Sequence, residues 1–524
     1  MKKLFISAFI AVSMFTSISC DKDTVEITPI GYTEAGFFSS EQEFDWAARG
    51  VYMKIGIYFA FQGDPNRVIA ALFMLPDDDL TTRNGVFAEE NFVGLNGAND
   101  RVSRFYNASY QAIQRANTLL EKLEERGDVY TVNPDLKNWH KGEALFLRSY
   151  VNFMLWNVFG TAPVVNNRIK VVEEANALGN SAGTQLLDQA ITDLAEAATL
   201  LPESWPSTLL NQPTLGRVTK NSALGLRAKA LVFRATVTGS AADYTSAITD
   251  INNITGRTLM DNYGKNFDAA FENNSESLFE YQANRSIGNA NAFLPPDDFA
   301  AIGEISHYVG YYNQMPSWVG DRFHVATEDL YNAYPAGDPR VSHIFVDAPS
   351  FTGTTPNIVK YVKNGAWLPG NIPPAGNGLN ANNPRILRYA EALLLKAEAI
   401  AMSGGDLNEA IALINEVRER ARNSTSDGTP AAEPADRALG ADKQTVIDWI
   451  FEERRLELAF EHGTRWFDLR RRHLAADPAL KIDLTTHDFR SVQVGTDFEE
   501  HNLFFPLPNG DVQQLPLLDQ NDGY

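Results

Sequence analysis

The sequence predicts a mainly α-helical protein whose helix hairpins stack like irregular tetratricopeptide (TPR) repeats. In several blocks, apolar residues recur at spacings of three and four, which places one apolar stripe along each helix. The blocks come in pairs, and alanines recur inside them where paired helices would cross. The period of about 34 residues that marks regular TPR arrays is not clean, so we expect an irregular superhelical scaffold.

Each helix has its own evidence. The clearest apolar stripes are Tyr110-Ile113-Asn117-Leu120, Ala144-Leu147-Val151-Leu155-Val158 and Ile386-Ala390-Leu393-Ala397-Ile400. Further helices are predicted at about 41–59, 184–200, 220–236, 243–253, 406–421 and 443–473. Glycines and prolines that cannot continue a helix separate these segments, as at Gly160 with Pro163 and at Gly404 with Gly405.

Composition narrows the class of protein. The 524 residues carry a formal net charge of −21, with 45 Lys and Arg against 66 Asp and Glu, which argues against a general affinity for nucleic acid or anionic lipid. The single cysteine excludes a disulfide-stapled fold and cysteine-based zinc sites. The 8 Trp, 18 Tyr and 31 Phe residues make the chain rich in aromatic side chains, and its apolar share is ample for a buried core.

The N-terminus is typical of a bacterial lipoprotein signal. Lys2 and Lys3 precede an apolar run, and small residues then lead to Cys20. In that class of protein the cysteine is lipidated and becomes the first residue, which would hold the chain on a membrane. An ordinary signal peptide with an incidental cysteine is the alternative. We expect residues 1–19 to be the signal peptide and residues 20–36 to be a lipidated tether.

The remaining chain, 37–524, divides by composition into three parts. Residues 37–284 and 385–524 carry the helical patterns and form the N-terminal scaffold and the C-terminal helices and tail. Between them, residues 285–384 are rich in Pro, Gly and Asn, and helical periodicity fades. A long stretch of this kind inside a compact domain is usually functional or disordered. Its aromatic content argues against disorder, so we predict a loop-rich ligand-binding region with a few short strands.

The aromatic residues of this loop-rich region are the best sequence signal for function. Sugar rings have apolar C–H faces that stack on Trp and Tyr, and their hydroxyls suit Asn, Asp and Arg. The candidate ligand contacts are Trp318, Trp367, Tyr311, Tyr312 and Tyr308, with Arg83 and Asn96 from a second loop-like stretch at 75–100. The alternative is that the thirteen aromatic residues from Phe293 to Trp367 form a local core, and we prefer it for most of them. The acidic excess in this region disfavours a polyanionic ligand.

Consecutive acidic residues suggest a weaker possibility, a metal site. Asp77, Asp78 and Asp79 could bind calcium through carboxylate oxygens. Such a run more often forms a solvated turn or a helix cap, and the eight scattered histidines do not support a metal site. We therefore expect no cofactor, with calcium as the alternative.

Two further patterns could carry catalysis. Glu452, Glu453, Glu457 and Glu461 lie on one predicted helix, and paired carboxylates can hydrolyse glycosides. We prefer the interpretation that these glutamates form ion pairs with arginines three or four residues away on the same helix. Residues 179–183 match G-x-S-x-G, the nucleophile-elbow pattern, but no buried strand is predicted before them. A loop that leads into a helix is the preferred interpretation.

Seven blocks, taken in order behind the lipoprotein cysteine, resemble the SusD/RagB family of Bacteroidetes outer-membrane lipoproteins. Three of them are EALFLRSYVNFMLWNVFGTAP at 143–163, RYAEALLLKAEA at 388–399 and ERRLELAFEHGTRWFDLRR at 453–471. The others lie at 110–123, 216–230, 414–421 and 519–524. No single block is decisive, but the set in this order is specific.

The resemblance implies four TPR-like hairpins with ligand-binding loops beside them. It also implies a cell-surface, outer-membrane, lipid-anchored protein that captures oligosaccharide or polysaccharide and delivers it to a SusC-like TonB-dependent transporter, without catalysis. The same scaffold binding peptide or another nutrient is the alternative, and a glycoside hydrolase is less favoured. The matching residues Arg217, Arg388, Glu391, Arg465 and Asp468 are better interpreted as buried ion-pair residues than as ligand contacts.

Overall fold

The computed structural model describes residues 36–59, 71–81, 88–282, 325–346, 357–361, 382–489 and 498–524. These ranges contain sixteen α-helices: α1 Glu41–Ile55, α2 Ala71–Met74, α3 Ala88–Asn91, α4 Asp100–Arg126, α5 Pro134–Phe159, α6 Val172–Asn176, α7 Gln185–Leu200, α8 Lys220–Thr238, α9 Ala241–Asn252, α10 Glu328–Ala333, α11 Arg340–Ile344, α12 Tyr389–Ser403, α13 Leu407–Arg422, α14 Lys443–Glu457, α15 Thr464–His473 and α16 Asn509–Gln514. The described strands are β1 Leu80–Thr81, β2 Thr208–Leu209, β3 Gln212–Pro213, β4 Ser277–Glu280, β5 Val325–Ala326, β6 Phe345–Val346, β7 Asn357–Ile358 and β8 Arg385–Arg388. The predicted mainly α-helical class is confirmed.

The long helices stack in chain order. Helix α1 packs on α4, α4 on α5, α5 on α7, α7 on α8 and α8 on α9. The next layer is α12, which packs on α9 and then on α13 and α14. Two apolar cores result: a large one through most of the molecule and a smaller one between α12, α13 and α14. No helix in the described ranges is both long enough and apolar enough to cross a bilayer.

The stack is interrupted in sequence between α9 and α12, although these two helices touch. Strand β4 pairs antiparallel with β8, and Ser277 lies opposite Arg388. This ladder returns the chain to the scaffold about one hundred residues after it leaves. The intervening residues therefore form an excursion whose two ends are held side by side. The predicted boundaries at 285 and 384 lie within a few residues of this ladder and stay predictions.

Helix ends follow local chemistry. Asn99 caps α4 by accepting from the backbone N–H groups of Arg101 and Val102. Thr219 and Ser222 form a capping box at the start of α8, and Gly239 ends that helix with a φ of 74°. The structure differs from the prediction at Ile386, which the sequence pattern assigns to a helix. Ile386 lies in β8, because the chain pairs with β4 before α12 begins at Tyr389.

The predicted helix 443–473 is two helices, α14 and α15, separated by a sharp turn. Phe460, His462 and Gly463 have φ values of 60°, 43° and 73°, which no α-helix accommodates. Tertiary contacts fix the turn: the His462 ring stacks on Tyr150 at 5.8 Å, and Phe460 packs against Phe345. These long-range contacts override a helical pattern that is continuous in the sequence.

Glycine is required at the end of this turn, and the requirement can be tested. A Cβ on residue 463 would lie 2.6 Å from the Phe73 carbonyl oxygen of α2. Gly463→Ala should therefore add an overpacking cost of about 1–3 kcal/mol to the left-handed backbone cost of about 1–2 kcal/mol. Gly440→Ala is the matched control, since Gly440 has a φ of 84° and open space around it. Urea denaturation should show the larger loss of unfolding free energy for Gly463→Ala; equal losses would contradict the packing argument.

Candidate functional site

A buried set of charged side chains lies where the scaffold meets the excursion. At its centre, Arg388 donates hydrogen bonds to Glu276 (2.6 Å), Glu457 (2.7 Å) and Glu461 (2.7 Å). Arg420 of α13 donates to Glu276 (2.8 Å) and also to Glu457. Guanidinium groups suit this position because their planar fork serves two carboxylates at once.

Residues of the excursion take part in the same set. Arg340 on α11 donates to Asp338 (2.8 Å) and to Glu453 of α14 (2.5 Å). Lys360, two residues after β7, donates to Glu461 (2.7 Å). These bonds fasten the part of the excursion around α11 and β7 to the helices of the scaffold.

We term the ten side chains the charged cluster: Glu276, Asp338, Glu453, Glu457, Glu461, Arg340, Lys360, Arg388, Arg418 and Arg420. All ten are buried. Burial alone would raise the pKa of Glu457, but the charges of Arg420 and Arg388 outweigh it and lower that pKa to about 2. Burial lowers the pKa of Lys360 to about 8, although Glu461 opposes the change. The cluster therefore holds paired charges that solvent does not reach.

Three of the four glutamates that raised the possibility of glycoside hydrolysis belong to the charged cluster. Glu453, Glu457 and Glu461 are fully engaged with basic side chains and do not face a cleft. Glu452 is exposed and pairs with Arg437 at 2.6 Å. Our preferred expectation of local pairs is wrong for the buried glutamates, because their partners come from α11, α13 and β8. This geometry offers no acid and base pair for hydrolysis.

The three aspartates at 77–79 form a second buried junction. Asp77 accepts from the backbone N–H groups of Asp79 and Leu80, both at 2.9 Å. Asp78 accepts two hydrogen bonds from Arg465, at 2.6 and 2.7 Å, and Asp79 accepts one from Arg455 at 2.7 Å. Burial alone would raise the pKa of Asp78, but the charge of Arg465 holds it well below its usual range.

These contacts correct the predictions for Asp77, Asp78 and Asp79. A solvated turn is wrong, because all three residues are buried. Arg465 binds both carboxylate oxygens of Asp78, Arg455 binds one of Asp79, and backbone N–H groups bind one of Asp77, so these four oxygens are engaged within the protein. Calcium binding by these residues stays a prediction. Among the described residues, no group of three or more His, Cys, Asp or Glu side chains is placed to hold a metal ion.

The aspartate junction connects the two regions that the sequence predicts to bind ligand. In the β1–β5 ladder, Leu80 lies opposite Ala326 and Thr81 opposite Val325. Thr327 extends the contact, since its hydroxyl donates to the carbonyl oxygen of Asp78 at 2.9 Å. The stretch 75–100 and the excursion therefore meet at one place on the scaffold.

The predicted ligand contacts are described only in part. Trp318, Trp367, Tyr311, Tyr312, Tyr308 and Arg83 lie outside the described residues, as does the predicted lipidation site Cys20. Asn96 is described and exposed, and its amide closes its own turn by accepting from Ala98 N–H and donating to the Gly94 carbonyl, both at 2.9 Å. A ligand contact of Asn96 stays a prediction.

The described aromatics of the excursion belong to the core. The Tyr334 hydroxyl donates to the Leu456 carbonyl oxygen at 2.7 Å. Phe345 packs edge-on against Tyr331 and Tyr334, and Tyr361 packs against Phe267. For these residues the local-core interpretation, which we preferred for most of the aromatic set, is confirmed.

Four of the five residues predicted to form buried ion pairs are buried and do so; Arg465 is half-buried and pairs with the buried Asp78. Arg217 binds Glu143 and Asp45, Glu391 binds Lys229 and Arg454, and Asp468 binds Arg454 and Arg471. Arg388 and Arg465 take the positions given above. The G-x-S-x-G segment is the loop that we preferred: Ser181 is buried, and its N–H donates to the Thr161 carbonyl before α7 begins.

Two surface cavities among the described residues were not predicted. One, of about 330 Å³, lies beside Trp205 and Arg257. The other, of about 630 Å³, lies between α4, the loop after α5 and α16, and Tyr106, Tyr110 and Asp511 line it. Asn117 was a usable sign that the loop after α5 packs on α4, because a polar residue within an apolar stripe indicates a hydrogen-bond partner outside the apolar core. Its amide donates to the carbonyls of Val165 and Asn167.

Acidification should weaken the fold through Glu457. Its pKa in the folded protein, about 2, lies below the ordinary value of 4.5, so its contribution to stability is complete above pH 4.5 and is lost as the pH falls towards 2. Glu457→Gln should lower the unfolding free energy at neutral pH by about 3–5 kcal/mol, because buried guanidinium groups lose their carboxylate. It should also flatten the dependence on pH below 4.5. Urea denaturation over a pH series measures both effects.

Glu452→Gln is the control on the same helix. Its side chain is 45% exposed, so the substitution should change neither the stability at neutral pH nor its dependence on pH. Identical acid profiles for the native protein and Glu457→Gln would contradict the role of the cluster.

Two protein-family models match separate parts of the chain. Residues 350–524 match the model of the SusD family, and residues 65–233 match a family model described as "Starch-binding associating with outer membrane". A SusD-like protein, P2, of Formosa agariphila is 25% identical to the chain, and the alignment covers 98% of both.

Solved structures share the fold. A SusD homolog from Bacteroides thetaiotaomicron superposes with a TM-score of 0.74 at 21% identity, covering 94% of this chain and 99% of that one. A laminarin-binding SusD-like protein gives a TM-score of 0.68 at 23% identity, covering 93% and 100%. The two family models cover residues 65–233 and 350–524, and the relative P2 aligns over 98% of the chain, so the chain belongs to the SusD family.

Proposed function

We propose that this protein is a cell-surface lipoprotein that captures oligosaccharide or polysaccharide and delivers it to a SusC-like TonB-dependent transporter. The observation that carries the proposal is the match to two family models, at residues 65–233 and 350–524. In the structure, ion pairs of Arg340 and Lys360 join the aromatic-rich excursion to the helices of the scaffold. The family model for residues 65–233 is described by starch binding and association with the outer membrane. One structural relative is named for binding laminarin.

The described contacts favour binding over catalysis. The charged cluster and the aspartate junction hold their carboxylates in ion pairs with arginine and lysine, so these groups serve to position the loops. A binding protein needs this, because a loop held in its bound conformation loses less conformational entropy when the ligand arrives. The formal net charge of −21 favours a neutral glycan over an acidic one.

Stacking of Trp318 or Trp367 on sugar is the specific form of the proposal. Trp318→Ala or Trp367→Ala should weaken binding by about 1–3 kcal/mol, by analogy with base–aromatic stacking. Isothermal titration calorimetry against starch, laminarin, another β-glucan, fructan and pectin would identify the ligand and measure the loss.

Trp46→Ala is the control for this experiment, since Trp46 lies on α1 and is 45% exposed. It should bind the selected polysaccharide like the native protein. Unchanged affinity in both Trp318→Ala and Trp367→Ala would refute stacking by these two residues. Binding of a peptide digest with no binding of any polysaccharide would favour the peptide alternative.

Lipidation of Cys20 can be tested separately. In cells that lack the transporter, the native protein should fractionate with membranes and incorporate a labelled fatty acid. Cys20→Ala should do neither, because no other cysteine is available and stable anchoring depends on acyl chains. Membrane association of Cys20→Ala in such cells would rule out the lipid anchor while leaving glycan binding untouched.

A further inference from the structure

We propose that the cavity beside α4 is a second carbohydrate-binding groove, which takes a neutral saccharide and is separate from the aromatic excursion. Its volume of about 630 Å³ lies within the range of known small-molecule sites, about 300–1,000 Å³. The inference rests on the proposed function, because it assigns the same class of ligand to a second place on the molecule.

The floor of the groove is rigid. The Tyr110 hydroxyl donates to the Pro163 carbonyl oxygen at 2.7 Å. Gln114, one turn further along α4, accepts from the Ile169 N–H at 3.0 Å and donates to the Ile169 carbonyl at 2.7 Å. The loop after α5 is therefore bound to the helix at successive turns. A groove that is already shaped loses little entropy when a ligand binds.

Two polar groups in the groove are available to a ligand. Asp511 lines it from α16 and is half-buried, and Asn107 lines it from α4 and is exposed. Within the described part of the chain, neither side chain forms an ion pair or a hydrogen bond with another side chain. Lys54 and Arg115 line the same groove, but Asp511 forms an ion pair with neither, and Arg115 donates to the Gly50 carbonyl. A half-buried carboxylate that no cation pairs with is unfavourable unless hydrogen-bond donors reach it. Adjacent sugar hydroxyls supply two donors at suitable spacing.

Apolar surface lies beside these polar groups. The half-buried Tyr110 ring, Val165 and Leu515 line the same groove, and they can cover the C–H face of a sugar ring while Asp511 and Asn107 bind its hydroxyls. Lys54 and Arg115 also line the groove, so it presents charges of both signs. Sugar hydroxyls both donate and accept hydrogen bonds and can serve both signs without adding a charge of their own. A neutral saccharide is therefore the ligand that fits both kinds of surface.

A thiol reporter tests occupancy of the groove directly. In the full chain with Cys20→Ala, Ala175→Cys places the single thiol on the groove wall, and Glu124→Cys places it on the exposed far end of α4 as control. The probes are maltohexaose, laminarihexaose, a fructo-oligosaccharide and an oligogalacturonate. At about ten times its dissociation constant, a bound probe should slow alkylation of the Ala175→Cys thiol about tenfold. The Glu124→Cys thiol should react at an unchanged rate.

Asp511→Asn provides the second variant. It removes a desolvated charge without changing the shape of the side chain, so folding should be preserved, and about tenfold more saccharide should be needed for the same protection. Trp318→Ala should leave the protection unchanged. The groove is refuted if no neutral probe protects the Ala175→Cys thiol, if only the oligogalacturonate does, or if Asp511→Asn is protected like the native groove. Calorimetry on the same protein separates the two proposals, because binding of the polysaccharide panel without protection overturns the groove alone.

Discussion

The pairing of Arg388 with Glu276, Glu457 and Glu461 is the interaction on which the rest of the structure depends. A buried charge without a partner is costly, whereas a complete set of pairs contributes little net stability. The partners of Arg388 precede β4, end α14 and lie in the turn before α15. These ion pairs all form only when every one of these segments is in place. The excursion must also be in place, because Arg340 pairs with Glu457 and Lys360 pairs with Glu461. The charged cluster therefore specifies how the segments join more than it adds to stability.

The backbone of the turn between α14 and α15 likewise depends on contacts with distant segments of the chain. It delivers the Glu461 carboxylate to Arg388 and the His462 ring to Tyr150, and it ends at Gly463 against the backbone of α2. A continuous helix would not include the positive φ values at residues 460, 462 and 463, so it would direct these side chains differently. The residues with positive φ, Phe460 and His462, are those whose rings make the long-range contacts, with Phe345 and Tyr150.

These features explain what the sequence could and could not predict. Periodicity located the helices because amphipathic burial acts over three or four residues, as in α4 and α5. It failed at Ile386 and at residues 458–463, where strand pairing and long-range contacts decide the backbone. The predicted burial of Arg217 and Arg388 is confirmed, but the prediction that Glu453 and Glu457 pair with neighbours on their own helix is wrong. Charge pairs across more than a hundred residues leave no spacing signal, so the Arg340–Glu453 pair appears only in three dimensions.

The two proposed binding regions are supported by different interactions, and this separation has a physical consequence. The excursion depends on the charged cluster and on the β1–β5 and β4–β8 ladders. The groove beside α4 depends on Tyr110, Gln114 and Asn117, which bind the loop after α5 and share no partner with the cluster. Energetic effects of substitutions at sites without shared partners are generally additive. Substitutions in one of the two proposed regions are therefore expected to leave the other unaltered.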